Sequence, residues 1–357
     1  MRQPVVGVVV LLLSLCLFAP SGKAQSFDIV KVADGVYAAI GRAGVASNGA
    51  FIVNQDDVLV VDTHYRPSWA KDLIAEIGKI TNKPVRYVVN THWHNDHVQG
   101  NQAYVSVFGN GVEYIAQHTA REDMISKAIP SVQQQLNKDV PDRIAATEKA
   151  LAEGKLANGT PLTDTSRANL TTRLASDKAY LEELKSIQIA LPTLTFERSL
   201  VLYKPDRSIY ISYFGKGHTR GDVVVYLPKE RVVVTGDLLT NGIPFMRDAY
   251  PAQWIGTLDS VRNLDWDSAV TGHGGVQTGK EQVDRLLAYM KDMVGAVKDA
   301  IGKGMSLEDA KKAMDPALRD KHQSNFPAYA ENPQGFAAAS ASAVDRTWVE
   351  LTGKIPN

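Results

Sequence analysis

The chain has 357 residues, of which 44% are hydrophobic and 22% are charged, so it is long enough for one large globular domain or two modest ones. Lysine plus arginine and aspartate plus glutamate each number 39, which makes the formal net charge zero. Because a balanced chain is not generally attracted to nucleic acid or to anionic membranes, the composition disfavours a nuclease.

Residues 1–24 have the order of a secretory signal peptide. One arginine precedes an almost wholly apolar run, and small residues at Gly22 and Ala24 suit a cleavage site. The apolar run is too short to span a membrane. We therefore expect a mature chain that begins near Gln25, is periplasmic or secreted, and has no stable membrane insertion after cleavage. A retained N-terminal anchor is the alternative.

Cysteine usage restricts the kinds of metal site that the chain can build. The single cysteine, Cys16, lies in the predicted signal peptide. The mature chain would then contain no disulfide and no thiolate ligand. A metal site in it must use nitrogen and oxygen ligands.

Predicted strands and helices alternate over residues 25–305. Short apolar runs between turn residues predict strands, and apolar residues at helical spacing predict helices. Strands are expected at residues 36–40, 50–53, 58–61, 85–90, 114–116, 194–196, 200–203, 209–214, 222–227, 232–235 and 268–270. Helices are expected at residues 69–80, with Ser68 as the N-cap, and at residues 286–301. This order predicts one layered α/β domain with sheets at its centre.

Two segments depart from that alternation. In residues 121–190 glycine is sparse, and two amphipathic helices at 145–156 and 167–187 predict a helical hairpin inserted into the domain. The hairpin can be a packing element, a lid or a dimer surface, so the oligomeric state stays open. Residues 306–357 predict a helical C-terminal extension with a break near residues 326–333.

The segment HWHNDH at residues 92–97 supplies four candidate metal ligands, namely His92, His94, Asp96 and His97. It holds three of the eight histidines of the chain and directly follows a predicted strand. Imidazole and carboxylate ligands suit zinc or a similar first-row divalent ion. A loop at the end of a rigid strand is a usual place for an active-site metal. The segment therefore predicts metal-assisted chemistry.

Four further candidate residues follow strand-like runs elsewhere in the chain. They are Asp62, His218, Asp237 and His273, and the last three have glycine neighbours. Loops at one edge of a sheet can converge although they are far apart in sequence. Glycine beside a ligand lets the backbone turn tightly and approach closely.

In this order the motifs resemble those of the metallo-β-lactamase superfamily, over roughly residues 27–280. The resemblance implies a four-layer αββα sandwich, with the metals at one edge of two facing sheets and the helical hairpin as an insertion. It also implies the ligands of two ions. They are His92, His94 and His218 for the first ion, Asp96, His97 and His273 for the second, and Asp237 bridging both, as in glyoxalase II-like members.

Other residues near the motifs receive supporting roles. The resemblance implies that Asp62 orients the histidine segment from behind the ligands. Thr219 and Asp222 are expected either to support the ligands or to form a turn. We expect a packing or supporting role for His64, which is also a candidate substrate contact, and a surface position for His322.

Three differences from well-known members restrict the subfamily to which the chain could belong. First-subclass lactamases carry a ligand cysteine, which the mature chain lacks. Third-subclass lactamases have serine where this chain has Asp237. Flavodiiron oxidoreductases have glutamate where this chain has His94, so zinc hydrolysis is favoured over iron redox chemistry. β-Lactamase activity is one possibility among several.

The leading prediction is an exported dinuclear metallohydrolase with two Zn²⁺ ions, with iron or manganese as alternatives. Two divalent ions that share a water lower its pKa from about 15.7 toward 7. The bridging hydroxide would then cleave a small-molecule carbonyl substrate, such as a β-lactam, lactone, ester or thioester. Asp96 and Asp237 are the predicted catalytic residues, and no nucleic acid partner is expected. The alternatives are a phosphodiester hydrolase, a mononuclear iron dioxygenase of the persulfide type and, least favoured, a non-enzymatic zinc-binding module.

Overall fold

A computed structural model of the protein describes residues 26–353, apart from residues 43 and 46. The predicted signal peptide and Cys16 lie outside the described residues. No helix in the part of the chain that is described is long and apolar enough to cross a membrane. The predicted domain limits stay predictions.

Two β-sheets form the centre of the described structure. Their strands are β1 (Phe27–Ala33), β2 (Val36–Gly41), β3 (Gly49–Val53), β4 (Val58–Val61), β5 (Val85–Val89), β6 (Glu113–Gln117), β7 (Leu194–Phe196), β8 (Ser199–Tyr203), β9 (Ser208–Ser212), β10 (Val224–Leu227), β11 (Val232–Thr240), β12 (Ser268–His273) and β13 (Gln277–Thr278). The first sheet has the order β1 to β7, and the second has the order β13-β12-β11-β10-β9-β8. Strands β4 to β7 are parallel neighbours, as are β11 and β12, and the other pairs are antiparallel.

Helices occupy both outer faces and the long segment between β6 and β7. They are α1 (Pro67–Ile80), α2 (Asn95–Val98), α3 (Asn101–Phe108), α4 (His118–Asp123), α5 (Ile129–Gln134), α6 (Val140–Glu153), α7 (Asp164–Leu184), α8 (Pro251–Asn263), α9 (Glu281–Gly302), α10 (Leu307–His322) and α11 (Pro333–Thr352). Two π-helical turns, Met124–Ala128 and Gln135–Asp139, join α4, α5 and α6 into one continuous helical segment.

Side-chain alternation along the strands creates the layers. Alternate residues of a strand point to the same face of its sheet. Those on the inner faces, such as Ile52 in the first sheet and Ile211 in the second, form an apolar core between the sheets. The opposite face of the first sheet packs against α1 and α3, with Leu73 and Tyr104 fully buried. Helices α8 to α11 cover the second sheet. The predicted αββα sandwich with a helical C-terminal extension is confirmed.

The predicted helical hairpin is present between β6 and β7. Helices α6 and α7 pack against each other, and Arg143 donates two hydrogen bonds of 2.8 Å to the carboxylate of Asp177. The helical segment begins at His118, slightly before the predicted start, and its π-helical turns were not expected. Its core includes Trp93 and Val98. The hairpin therefore packs directly against the HWHNDH segment.

Two expectations about residues in helices were wrong, and one helix was missed. Ser68 is not the N-cap of α1, because its backbone N–H and hydroxyl donate to the carboxylate of Glu183 in α7. Helix α8 was not predicted. His322 is buried instead of exposed, since its Nε2 lies 2.7 Å from Asp292 Oδ2 and its ring packs against Tyr289. For Ser68 and His322 a distant segment supplies the partner, which local sequence patterns do not reveal.

Candidate metal centre

The predicted ligands meet at one edge of the two sheets. Parallel neighbours β4 and β5 in the first sheet, and β11 and β12 in the second, end at this edge. The HWHNDH segment follows β5, His218 lies in the loop between β9 and β10, and His273 ends β12. Asp237 lies inside β11, where shifts of register interrupt the pairing with β12. The strands therefore deliver ligands that are far apart in sequence to one place.

Two glycines allow this close approach. Gly236 has a left-handed φ of 51°, and a Cβ atom there would lie 2.4 Å from Thr91 Oγ1 in the other sheet's ligand loop. A Cβ atom on Gly272 would lie 1.8 Å from Asp237 Oδ1. Larger residues at either position would force the backbone or the carboxylate to move. The glycines beside the ligands are thus required by geometry.

The first ligand group consists of His92, His94 and His218. His94 Nδ1 lies 3.1 Å from His92 Nε2 and 2.8 Å from His218 Nε2. Asp237 Oδ2 lies 3.4 Å from His218 Nε2. Donor atoms around one tetrahedral zinc ion, with bonds of 2.0–2.1 Å, would be separated by about 3.3 Å. The atoms of this group therefore converge at the spacing of a metal site.

The second ligand group consists of Asp96, His97 and His273. Asp96 Oδ2 lies 3.5 Å from His97 Nε2 and 3.4 Å from His273 Nε2. Asp237 also faces this group, with Oδ1 3.4 Å from His97 Nε2 and Oδ2 3.2 Å from His273 Nε2. One carboxylate therefore stands between two sets of ligand atoms.

The donor set fits divalent metal ions. His97 Nε2 and Asp237 Oδ1 are buried and have no hydrogen-bond partner among the described residues. Such orphaned polar atoms are costly unless something else satisfies them. The set contains only imidazole and carboxylate donors, and all of its atoms fall into two compact groups. A cation in each group would satisfy the orphaned atoms.

A hydrogen-bonded chain behind the ligands fixes two of the imidazoles. Asp62 Oδ2 accepts hydrogen bonds from Thr91 Oγ1 and from His97 Nδ1, both at 2.7 Å. Because the threonine hydroxyl gives its proton to Asp62, we assign the 3.0 Å contact to His92 Nδ1–H donating to Thr91. The Nε2 lone pairs of His92 and His97 then face the metal centre. This is the orienting contact expected for Asp62.

Asp248 completes the support of the first group and was not predicted from the sequence. Its Oδ2 lies 3.2 Å from His94 Nε2, which leaves His94 Nδ1 to face the other ligands. Burial tends to raise the pKa of Asp248, but the hydrogen bond and charge of His94 and the nearby Lys127 lower it below its usual value. No strand end or glycine next to Asp248 distinguishes it in the sequence.

The remaining predicted residues lie behind the ligands. Thr219 donates to Asp222 through its backbone N–H and its hydroxyl, each at 2.8 Å, and this closes the turn after His218. Burial raises the pKa of Asp222 to about 6. His64 is fully buried against the ring of Phe27, so its packing role is confirmed and the idea of a substrate contact is wrong.

The two ligand groups differ in their electrostatics. Burial lowers the pKa of His92 well below its usual range and that of His218 to about 3. Burial also acts to lower the pKa values of His97 and His273. For these two rings the nearby carboxylates, above all Asp96 and Asp237, outweigh burial and raise the pKa.

An open cleft of about 550 Å³ leads to the ligands. Its floor includes His94, Asp96, Asp237 and His273. The described walls combine the HWHNDH segment, the inserted helical segment and the chain after β11; the non-ligand residues are Trp93, Asn95, Lys127, Ser131, Phe245, Arg247 and Asp248. The insertion therefore forms one wall of the cleft.

Comparisons with known proteins agree with this architecture. The model of the metallo-beta-lactamase superfamily matches residues 42–273. A linear primary-alkylsulfatase from Pseudomonas sp. (strain ATCC 19151) is 25% identical over 256 residues, which are 68% of this chain but 44% of that protein. The chain thus spans less than half of the alkylsulfatase. A metallo-beta-lactamase type 2 from Bacillus cereus is 24% identical over 238 residues, covering 65% of this chain and 68% of that protein.

Solved structures support the same fold. A metallo-beta-lactamase from Pontibacter korlensis has a TM-score of 0.50 at 17% identity, and covers 74% of this chain and 99% of its own. One from Erythrobacter litoralis has a TM-score of 0.51 at 15% identity, and covers 76% and 98%. The family model covers well over half of the sequence, and it includes every ligand in both groups. The chain therefore belongs to the metallo-beta-lactamase superfamily.

Proposed function

We propose that this protein is an exported metal-dependent hydrolase that binds two zinc ions and cleaves a small-molecule carbonyl substrate, such as a β-lactam, lactone, ester or thioester. The observation that carries the proposal is the position of Asp237, whose carboxylate lies within 3.4 Å of ligand atoms in both groups. The open cleft above it gives a small molecule access to the same atoms.

The proposed roles follow from the distances. The first ligand group would hold one ion and the second group the other, with Asp237 shared. Two zinc ions in these positions would supply a water of lowered pKa and polarise the substrate oxygen. Iron and manganese are the competing ions. Nitrogen and oxygen donors rich in imidazole favour zinc over magnesium or calcium.

The residues around the centre would hold the imidazoles in place, orient the nucleophilic water and exclude other water from the cleft. Asp62 and Thr91 hold two imidazoles in the tautomer that leaves Nε2 free. The side chain of Asp96 is 23% exposed toward the cleft, so one carboxylate can orient a nucleophilic water and accept its proton. Trp93 and Phe245 add apolar wall that removes water from the reacting groups.

A sulfate ester is the second candidate substrate. The similarity to a linear primary-alkylsulfatase favours it, because that relative is 25% identical to this chain over an alignment that covers 68% of it. A phosphodiester is less favoured since the net charge is zero and offers no attraction to nucleic acid.

Metal analysis combined with a hydrolysis panel tests the proposal. We expect close to two zinc ions per chain, activity that a chelator removes and added zinc restores, and turnover of at least one carbonyl substrate. The panel contains a chromogenic cephalosporin, a homoserine lactone, a glutathione thioester, an aryl ester, an alkyl sulfate and a phosphodiester. A single tightly bound ion, or turnover of the alkyl sulfate or phosphodiester alone, would contradict it. Fractionation of the native host tests export.

A further inference from the structure

Two basic side chains line the cleft beside the ligands. Lys127 comes from the π-helical turn Met124–Ala128 of the insertion, and Arg247 comes from the segment between β11 and α8. Neither contacts a ligand residue through a hydrogen bond or an ion pair within the described part of the chain. The hydrolytic role of the metal centre therefore does not account for them.

The carboxylate nearest to Lys127 has another partner. Asp123 Oδ1 lies 3.2 Å from Lys127 Nζ, but Asp123 is buried and accepts two hydrogen bonds, of 2.9 and 3.0 Å, from the guanidinium of Arg220. An i,i+4 pair with one exposed partner contributes little. The Lys127 side chain is 42% exposed, and its Nζ lies 4.9 Å from the ring centroid of Trp93 in the cleft wall. Its ammonium group keeps donors free toward the cleft.

Arg247 is exposed and forms no ion pair or hydrogen bond with the residues that the structure describes. The adjacent Asp248 does not neutralise it in a direct pair, because that carboxylate lies against His94 Nε2 at 3.2 Å. A guanidinium with open donors at the mouth of a cleft is suited to bind a planar anion through two parallel hydrogen bonds.

The same cleft offers an apolar contact. Phe245 is 57% exposed, and its ring centroid lies 6.2 Å from that of His94. A large apolar ring left in water beside a metal ligand indicates a surface that a ligand covers. Apolar wall and unpaired cations thus lie around one opening.

We propose that the cleft selects substrates that carry an anionic group, such as a carboxylate, separate from the bond that is cut. Lys127 and Arg247 bind this second group, while Phe245 contacts the apolar part between it and the reacting group. This inference depends on the proposed hydrolytic function in one respect, namely that the bond to be cut lies at the metal centre. Lys127 and Arg247 are thus specificity-determining residues.

Calorimetric titration of the zinc-loaded protein with glutarate and with monomethyl glutarate measures the contribution of the second anion. One carboxylate of each compound can reach the metal centre, so the difference between them reports on the other end. We expect glutarate to bind roughly tenfold more tightly, as for one charge-assisted hydrogen bond. Added salt should reduce the difference.

The double variant Lys127→Gln/Arg247→Gln should bring the two affinities to within about twofold of each other, because charge-assisted bonds are replaced by neutral ones. Lys138→Gln is the matched control. It lies in the same inserted segment but outside the cleft, where it pairs with Asp142 at 2.7 Å, and it should leave the tenfold difference intact. Arg247→Gln alone removes no contact within the described structure, so its fold should survive even if the double variant is unstable.

Matched nitrophenyl esters of glutarate, with a free or a methylated distal carboxylate, extend the test to turnover. We expect the free acid to have the lower KM in the wild type and in Lys138→Gln, but not in the double variant. Equal binding of glutarate and its monomethyl ester by the wild type, or a preference that persists in the double variant and in Arg247→Gln, would overturn the anion site. If neither ester is hydrolysed but the binding preference depends on Lys127 and Arg247, the anion site stands and ester hydrolysis fails.

Discussion

The first ligand group lies deeper in the protein than the second. In the first group His92 and His218 are almost completely inaccessible to solvent, and the side chain of His94 is 13% exposed. In the second group His97 is fully buried, but the side chains of Asp96 and His273 are 23% and 34% exposed. The second group faces the cleft with an additional carboxylate. Burial and charge therefore distinguish the two candidate ligand groups, both of which face Asp237.

This difference affects whether the imidazole rings of each group must lose protons before a cation binds. The rings of His92 and His218 are held neutral by burial, so they offer lone pairs without first losing protons. The rings of the second group, His97 and His273, lie beside carboxylates that raise their pKa. A cation there must compete with protons and with solvent, but it gains the charge of Asp96. Because Asp96 and His273 are the more exposed side chains, we expect an ion in the second group (the outer ion) to exchange with solution more readily than an ion in the first group (the inner ion).

The largest expected effect comes from removing the residue that both groups share. Asp237→Ala should lower hydrolytic turnover by more than about a hundredfold, because loss of a supporting residue alone usually costs 10–100-fold. Metal content should fall at both sites. Circular dichroism should show an intact fold, because the substitution only shortens a side chain and the pairing of β11 with β12 is already interrupted around this residue. Unchanged turnover and metal content would show that Asp237 bridges nothing.

Removing one ligand from each group tests whether the two sites differ in affinity. His273→Ala should leave one tightly held zinc ion per chain, because the first group is untouched. His218→Ala should instead leave an ion that a weak chelator removes quickly. His118→Ala is the control, since this partly buried histidine lies outside both groups. Elemental analysis after graded chelation measures the outcome. Identical release curves for the two ligand variants would remove the distinction between inner and outer ions.

The sequence predicted the candidate ligand residues, which the structure brings together, better than it predicted the residues around them. HWHNDH concentrates four donors after a strand, and glycines mark the positions of Asp237 and His273, so local patterns were sufficient for all seven candidate ligands. Asp248 belongs to a loop without such a pattern, and its role depends on the distance to His94 across the fold. Lys127 reaches the cleft because of a π-helical turn that a regular helical period does not predict.

The same reason explains the errors in the fold. The short apolar run of β2 and the helical spacing of apolar residues in α9 are local signals, and both elements were predicted. The burial of His322 and the pairing of Ser68 with Glu183 depend on contacts between distant segments. Long-range contacts are absent from the pattern of any one segment, which is why these residues were placed wrongly.

The smallest expected effects come from the residues that support the ligands. These residues differ in whether they support one ligand group or both. Among the described residues Asp248 forms a hydrogen bond only with His94, so Asp248→Asn should lower zinc affinity at the first group alone, by roughly tenfold. Asp62 orients His97 directly and His92 through Thr91, so Asp62→Asn should weaken both sites, by 10–100-fold.

Competition of each variant with a chromogenic zinc chelator resolves the two binding steps. Asp259→Asn is the control, because this partly exposed carboxylate is not among the cleft-lining residues and forms an ion pair with Lys291, and neither step should change. If Asp248→Asn weakened both steps equally, His94 would belong to a single coupled site. If Asp62→Asn weakened only one step, the orientation of His92 would not depend on Asp62 through Thr91. The pattern of the two variants therefore shows whether the groups bind their ions as separate sites or as one.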